Sequence, residues 1–315
     1  VQYALSKRRW NQRDVISILD FSRSDLETLF NLTEKFIEKP FSISRSLSEK
    51  VVATAFFEPS TRTRLSFTTA ALKLGAKVLD LSPDLSSIMK GESLIDTIKM
   101  LESYSDIIIM RHPSEGAALL ASEISSDPII NGGDGSQHHP TQAMLDLFTI
   151  QKLKGRIHDL NYAIIGDIRY ARTAASLLYG LTNFKPAKVY LVSPEPLRPR
   201  RELLSKIVQL GLRIEQVEGI EEVIKHADVI YITRIQKERF PDLVEYEKVK
   251  GSYKITKSVL TKGKKKSIIL HPLPRADELP YDIDLLPNAA YMKQASWGVP
   301  LRMALLELVL GGSEK

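Results

Sequence analysis

Cysteine is missing from all 315 residues. Its absence excludes disulfides, thiolate metal sites and cysteine nucleophiles, and makes a reducing cytoplasm the expected location. Long apolar runs are missing too: none approaches the ~20 residues that span a bilayer, so no membrane partner is expected. The opening stretch VQYALSKRRWNQRDVISILDF is basic but has no apolar core, and no secretory signal is read there. Several chemical signatures are also lacking. No GxxxxGK[ST] loop occurs, no GxGxxG follows the strand-like NYAIIGD, and nucleotide binding is disfavoured. There is no GxSxG elbow for a serine nucleophile, and no HxE, HExxH or other His/Asp/Glu set with metal spacing, so neither a metal nor a cofactor is expected.

What is present is an ordinary globular composition with a basic balance, 44 Lys and Arg against 38 Asp and Glu. A net charge of +6 suits anionic partners, either small substrates or nucleic acid. The cations are spread along the chain rather than gathered in a stripe or tail, which argues against nucleic acid. The one dense run, KGKKK at Lys262 to Lys266, reads as a solvated turn before the strand-like SIILHP, or alternatively as a patch that tracks phosphates.

A chain of this length predicts two α/β domains of roughly 150 residues each. Ser24-Asp25-Leu26-Glu27 has capping-box spacing and predicts a helix over Ser24 to Glu38. Strands VVATAFF, AKVLDL, DIIIMRH and DPIIN then alternate with helices TRTRLSFTTAALKLG, ESLIDTIKMLESY and SEGAALLASEIS, the pattern of a parallel sheet. After the long helix HPTQAMLDLFTIQKLKG a second series follows. NYAIIGD, AKVYLVSP, RIEQVE, DVIYIT and KSIILHPLP are its strands; ARTAASLLYGLTNF, RRELLSKIVQLG and IEEVIKHA are its helices. The fold class is therefore α/β, two consecutive doubly wound parallel-sheet domains joined near Pro140 to Ile150. The last amphipathic helix, PLRMALLELVLGG, has no strand of its own to cover and is expected to pack back on one of the domains.

Ligands of such sheets bind beyond the carboxyl ends of the strands. Polar clusters fall there five times: Ser60 to Arg64, Arg111-His112, Asp167 to Arg172, Arg234 to Glu238 and His271 to Arg275. Together they predict one cleft between two domains. In FFEPSTRTRLSF a helix that begins near Thr61 offers free N–H groups, Ser60, Thr61 and Thr63 add hydroxyls, and Arg62 adds a planar fork. The row reads as an anion cradle, or more plainly as a capped helix with surface arginines. Arg111, Arg172 and Arg234 each read alone as surface residues; together they imply a ligand with more than one negative group. His139, in HHPTQ, could bond a carbonyl oxygen, or it could cap or pack a helix start. A cleft rich in donors without nucleophile or metal fits group transfer from an activated phosphate compound.

FEPSTRTRLSF resembles the carbamoyl phosphate motif of the transcarbamylases. MRHPSEG, HPTQAMLDLFTI, GDIRYART, TRIQKER and HPLPR are similar to the aspartate carbamoyltransferase branch, in order and at fitting spacing over nearly the whole chain. The resemblance implies transfer of the carbamoyl group from carbamoyl phosphate to the amine of L-aspartate, giving N-carbamoyl-L-aspartate and phosphate, a step of pyrimidine synthesis. It implies a carbamoyl phosphate-binding domain of residues 1–140 plus 297–315, on which the C-terminal helix packs, and an aspartate-binding domain of residues 141–296. Ser60, Thr61, Arg62 and Thr63 would hold the phosphate. Thr63, Arg111 and His139 would polarise the carbamoyl oxygen and stabilise the tetrahedral oxyanion. Gln142 and the carbonyls of Pro272 and Leu273 would take the carbamoyl NH₂ and the incoming amine. Arg172, Arg234 and Gln236 would hold the aspartate carboxylates, and Arg302 matches a further active-site arginine of the family.

The family also donates a loop across a trimer interface, matched here by SSIMKGESL, so Ser86 and Lys90 would serve the site of a neighbouring chain in a homotrimer. Lys90 would reach both substrates. Two departures are visible: Met89 stands where some members carry a second lysine, and Arg169 where some carry lysine. A separate zinc-containing regulatory chain is a possible partner that this chain cannot replace. Two alternatives follow. Ornithine carbamoyltransferases share STRTR but typically read HPCQ and HCLP where this chain has HPTQ and HPLP, and an arginine-lined acceptor site should repel a cationic side chain. A non-catalytic assembly or nucleic-acid-binding protein of the same fold would be expected to have lost motifs that are intact here.

Overall fold

The computed structural model describes residues 10–38, 44–237, 240, 243–250 and 255–311. Residues 1–9, with most of the basic start, and Glu238 of the fourth polar cluster lie outside the described residues. The chain divides into two compact units, Val1–Thr141 with Trp297–Lys315, and Gln142–Ser296.

The first unit holds α1 (Arg23–Glu38), β1 (Val51–Phe56), α2 (Arg62–Lys73), β2 (Lys77–Leu81), α3 (Leu94–Glu102), β3 (Ile107–His112), α4 (Ala117–Ile124) and β4 (Ile129–Asp134). Its four strands are all parallel, in the order β2-β1-β3-β4. The strands β1, β3 and β4 are almost wholly buried, as expected when helices cover both faces of a sheet. On α2 the side chains of Thr63, Phe67, Ala70 and Ala71 are buried, spacing that forms one helical stripe. The helix stops where Gly75 takes φ +84°, left-handed backbone that glycine adopts without strain.

In the second unit α5 (Pro140–Lys154), which begins at the boundary, precedes β5 (Asn161–Ile165), α6 (Arg172–Leu181), β6 (Lys188–Val192), α7 (Arg201–Gln209), β7 (Ile214–Val217), β8 (Val229–Ile232), α8 (Leu243–Val249), α9 (Lys257–Leu260), β9 (Ile268–Leu270) and α10 (Tyr291–Ser296). Its sheet is parallel, in the order β7-β6-β5-β8-β9. The final helix α11 (Gly298–Leu310) belongs to the first unit and packs against α1 and α2.

Three expectations need correction. The cap of α1 is Ser22 with Asp25, not Ser24 with Glu27: the Asp25 carboxylate accepts the Ser22 N–H at 2.9 Å and Ser22 Oγ accepts the Asp25 N–H at 3.2 Å. A capping box is set by where the helical hydrogen bonds begin, and the first here runs from Leu26 N–H to Ser22 O. IEEVIKHA is not an α-helix but a short 3-10 turn over Ile220–Glu222 followed by turns. This connection runs from the sheet edge to the far side of β5, and a 3-10 path rises about 2 Å per residue against 1.5 Å in an α-helix. Finally, α11 is not amphipathic: Leu301, Arg302, Met303, Ala304, Leu305 and Leu306 are consecutive and all buried. A helix apolar all round is a buried one.

Candidate active site

Each unit places its polar loops where its strand order reverses. In the first sheet β1 is followed by β2 on one side and flanked by β3 on the other, so the loops after β1 and β3 open at a switch point. Those loops carry Ser60 to Thr63 and Arg111. Thr61 is the N-cap of α2, yet its hydroxyl makes no capping bond, and the first backbone bond of the helix is Leu65 N–H to Thr61 O at 3.0 Å. The head of α2 therefore keeps its N–H groups and dipole for an anion. Thr61 and Arg62 are exposed, whereas Thr63 is buried.

Thr63 Oγ1 lies 3.5 Å from Nε2 of His139, which is itself 4% exposed, and the other ring nitrogen lies 3.5 Å from Thr141 Oγ1. Arg111 stands where the register of β3 against β4 shifts, between Met110 and His112, a bulge that re-aims its side chain. Its Nε donates to Glu58 Oε1 at 2.7 Å, and its carbonyl accepts the Phe57 N–H at 2.8 Å. His112 closes the same loop by accepting the Ser114 N–H at 3.0 Å, and burial holds its pKa below the ordinary histidine value although Glu58 and Asp134 pull it up.

The row Ser60 to Arg64 is not uniform. Arg64 pairs with Asp80 on β2 through Nε at 3.0 Å and through Nη2, and Thr54 Oγ1 also donates to that carboxylate. Successive residues of a helix point about 100° apart, so Arg64 leaves the cradle for the neighbouring strand. Arg302 lies with its guanidinium 4.9 Å from the ring of Phe67, one turn along α2 from Thr63, and donates to the Gly298 carbonyl at 3.2 Å. Ser86 is engaged in its own turn, donating to Pro83 O at 2.8 Å, while Lys90 is exposed just before Gly91, whose φ is +95°.

In the second unit the loops after β5 and β8 open at the other switch point. Asp167, fully buried, joins them: Oδ1 accepts the Tyr170 N–H at 2.8 Å and Oδ2 faces the Gln236 N–H at 3.5 Å. Thr233 Oγ1 adds bonds to the carbonyls of Ile165 and Asp167. The fastened loops carry Arg172, which is 3% exposed at the start of α6, and half-buried Arg234 and Gln236. Burial raises the Asp167 pKa to about 6 against the opposing pull of the Tyr170, Gln236 and Arg169 N–H groups and the Arg234 charge.

The loop after β9 is held from within. His271 Nδ1 accepts the Leu273 N–H at 2.8 Å, so the proton resides on Nε2 and is donated to Glu278 at 2.8 Å. Burial keeps this imidazole neutral, below its ordinary pKa despite Glu278. Leu273 itself has φ +59°, a left-handed conformation that costs a branched side chain energy and persists only where the surroundings impose it. Arg275 is bound to Asp284 and lies against the rings of Tyr281 and Tyr291. Within the fifth polar cluster, then, His271 and Arg275 shape the loop that presents Pro272 and Leu273.

Several organising residues escaped the sequence reading. Asp146 is wholly buried and accepts three bonds: from Gln142 Nε2 at 2.7 Å, Gln294 Nε2 at 2.6 Å and the Tyr231 hydroxyl at 2.8 Å. Gln294 in turn accepts the His271 N–H at 3.1 Å, so one carboxylate ties Gln142 to the Pro272-Leu273 loop. A carboxylate inside the apolar TQAMLDLFTI was the available signal. The glycines at the end of β4 serve two purposes: Gly133 and Gly135 have positive φ, and at Gly132 a Cβ would lie 3.1 Å from the Met110 carbonyl and 3.5 Å from Thr63 Cγ2.

Two family models match the chain in order, the second of them running on into α11 of the first unit. The model described as Aspartate/ornithine carbamoyltransferase, carbamoyl-P binding domain, matches residues 13–152, and its Asp/Orn binding domain counterpart matches residues 158–309. The chain belongs to the aspartate/ornithine carbamoyltransferase family. Among its relatives, the aspartate carbamoyltransferase catalytic subunit of Thermofilum pendens is 53% identical over 95% of this chain and 96% of its own. The Trypanosoma cruzi aspartate transcarbamoylase solved with carbamoyl phosphate and aspartate superposes with a TM-score of 0.91 at 36% identity, covering 96% of this chain and 98% of that one. The catalytic subunit of the M. jannaschii aspartate transcarbamoylase is 48% identical, with a TM-score of 0.85 over 94% of this chain and 97% of its own.

Proposed function

We propose that the chain transfers the carbamoyl group of carbamoyl phosphate to the amine of L-aspartate, releasing N-carbamoyl-L-aspartate and phosphate. The observation that carries this reading is the uncapped head of α2 beside the buried Thr63 and His139 pair. By this reading the first unit is the carbamoyl phosphate-binding domain. Ser60, Thr61, Arg62 and Thr63 take the phosphate oxygens, while Thr63, His139 and Arg111 donate to the carbamoyl oxygen as attack turns it into an oxyanion. Glu58 holds the Arg111 guanidinium in a fixed orientation. Gln142 and the Pro272 and Leu273 carbonyls take the carbamoyl NH₂ and the amine, and Arg172, Arg234 and Gln236 take the two carboxylates of aspartate. Arg302, stacked on Phe67 of α2, is the further active-site arginine that the family pattern places there. The amine attacks as the free base, its ammonium proton having gone to solvent, and the proton it sheds after attack passes to the phosphate as the C–O bond breaks, so no side-chain base is needed.

We further propose a cytoplasmic homotrimer in which Ser86 and Lys90 complete a neighbour's site, working in pyrimidine synthesis and able to receive a separate regulatory chain. Exposed Leu65, Leu72, Met89, Ile95 and Met100, all in the first unit, support an oligomeric surface there. The direct test incubates the isolated chain with carbamoyl phosphate and either L-aspartate or L-ornithine and identifies the product. Carbamoyl-aspartate alone is expected; carbamoyl-ornithine, or neither product from folded protein, contradicts the reading. For the shared site, mixing inactive Ser60→Ala and Lys90→Ala proteins restores part of the activity, and no recovery after verified subunit exchange contradicts it.

A further inference from the structure

The run Lys262 to Lys266 belongs to none of the machinery above. It precedes β9, so it lies at the amino ends of the second sheet's strands, opposite the loops that carry Arg172, Arg234 and Leu273. It is not merely a solvated turn. With the end of α5 and the loop before β5 it lines a cavity of about 620 Å³ whose charged groups are Lys154, Arg156, Lys264, Lys265, Lys266 and Asp228.

The single carboxylate of this lining is already used. Asp228 Oδ1 accepts Lys264 Nζ at 2.8 Å and Oδ2 accepts the Asn161 N–H at 2.9 Å. Lys154 Nζ donates to the uncharged Lys266 carbonyl at 2.7 Å. Among the described residues no carboxylate pairs with Arg156, Lys265 or Lys266. Among the described residues, five cations against one anion leave four uncompensated positive charges around one concavity. Burial keeps Lys154 below the ordinary lysine pKa; Asp228 pulls it back, and Lys264, Arg156 and Lys266 push it down again. Low-dielectric walls lined by one sign of charge focus the field on whatever enters, and a multivalent anion relieves this mutual repulsion. The volume falls in the range of small-molecule sites, about 300–1,000 Å³, and exceeds what one orthophosphate fills. Among the described residues no aromatic side chain lines the cavity to stack a base, which disfavours single-stranded nucleic acid.

We propose that this cavity binds a phosphate chain, free or carried on a nucleoside, held by Arg156, Lys265 and Lys266 with Lys154 at its floor. The test is calorimetric titration of the full chain with inorganic tripolyphosphate, in an Arg62→Ala background that weakens the anion site at α2. One tripolyphosphate per chain is expected, with affinity falling as salt rises. The exposed pair Arg156→Gln and Lys265→Gln should weaken binding at least about tenfold, since each lost charged contact is worth roughly that factor. Equal neutralisation at Arg201 and Lys206, exposed on α7 of the same unit, should leave affinity within about twofold. A nucleoside triphosphate that binds as tightly as tripolyphosphate identifies the phosphate chain as the recognised part. No binding in the Arg62→Ala background, equal weakening by the two double variants, or binding of an RNA oligonucleotide but not of tripolyphosphate overturns the proposal.

Discussion

Replacing Asp146 with Asn tests whether one buried carboxylate organises the second unit's share of the site. Oδ1 accepts from two amide NH₂ groups, of Gln142 and Gln294, and Oδ2 accepts from the Tyr231 hydroxyl. The Asn side chain can keep its oxygen toward the two amides only by turning its NH₂ toward Tyr231, whose hydroxyl then accepts instead of donating. Three charge-assisted bonds become three neutral ones, and the expected loss is about 2 kcal/mol of stability. Asp146→Ala strands three buried donors at about 1–3 kcal/mol each, a large part of the roughly 5–15 kcal/mol that holds a domain together. The Asn variant is therefore the informative one. Urea unfolding should show the smaller loss, and carbamoyl transfer should fall about tenfold in kcat, because Gln142 and the Pro272-Leu273 loop lose their common anchor; tenfold corresponds to about 1.4 kcal/mol. An Asn variant that unfolds with the wild type and keeps kcat within about twofold refutes the hub.

Arg62→Ala should lower kcat/KM by about 100-fold or more, as loss of one oxyanion or phosphate donor does, whereas Arg64→Ala should lower stability by less than about 1 kcal/mol and leave turnover near wild type, since its partner Asp80 forms a half-exposed pair; equal losses of activity would show that the row acts as one cradle. Asp167 has a folded pKa near 6 against an ordinary 3.8, so it binds a proton in the folded state first and its contribution to stability is lost as pH rises through 6. The difference, 6 − 3.8, amounts to roughly 3 kcal/mol, and the stability of Asp167→Asn relative to wild type should rise by about that much between pH 4 and pH 7; a difference independent of pH in urea unfolding contradicts the burial argument. Gly132→Ala brings a methyl within 3.1 Å of the Met110 carbonyl and should cost about 1–3 kcal/mol in urea unfolding; unchanged stability would show that the carbonyl yields without strain.

Most of the strand and helix order could be read from hydrophobic period alone, because runs such as VVATAF and IIIM are buried on both faces and bounded by polar turns. The row of donors Ser60 to Thr63 could be located because they are consecutive and follow a strand. What was not legible depends on contacts distant in sequence. Ser24 and Glu27 have the same spacing as Ser22 and Asp25, and only the start of the helical bonding separates them. Arg64 looks like Arg62 until Asp80, on the next strand, claims it. Asp146 joins residues 85 and 148 positions away, a convergence no local pattern displays. Gly132 shows its value only through the room it leaves between Met110 and Thr63.

In the proposed reaction Thr63, His139 and Arg111 polarise the carbonyl of bound carbamoyl phosphate. The most direct measurement is the ¹³C chemical shift of the carbonyl of carbon-labelled carbamoyl phosphate, free and bound, for the wild type and for His139→Ala. The bound resonance should move downfield in the wild type and return toward the free position in the variant, in step with the loss of kcat. A bound resonance that does not move, or that moves equally without His139, contradicts it.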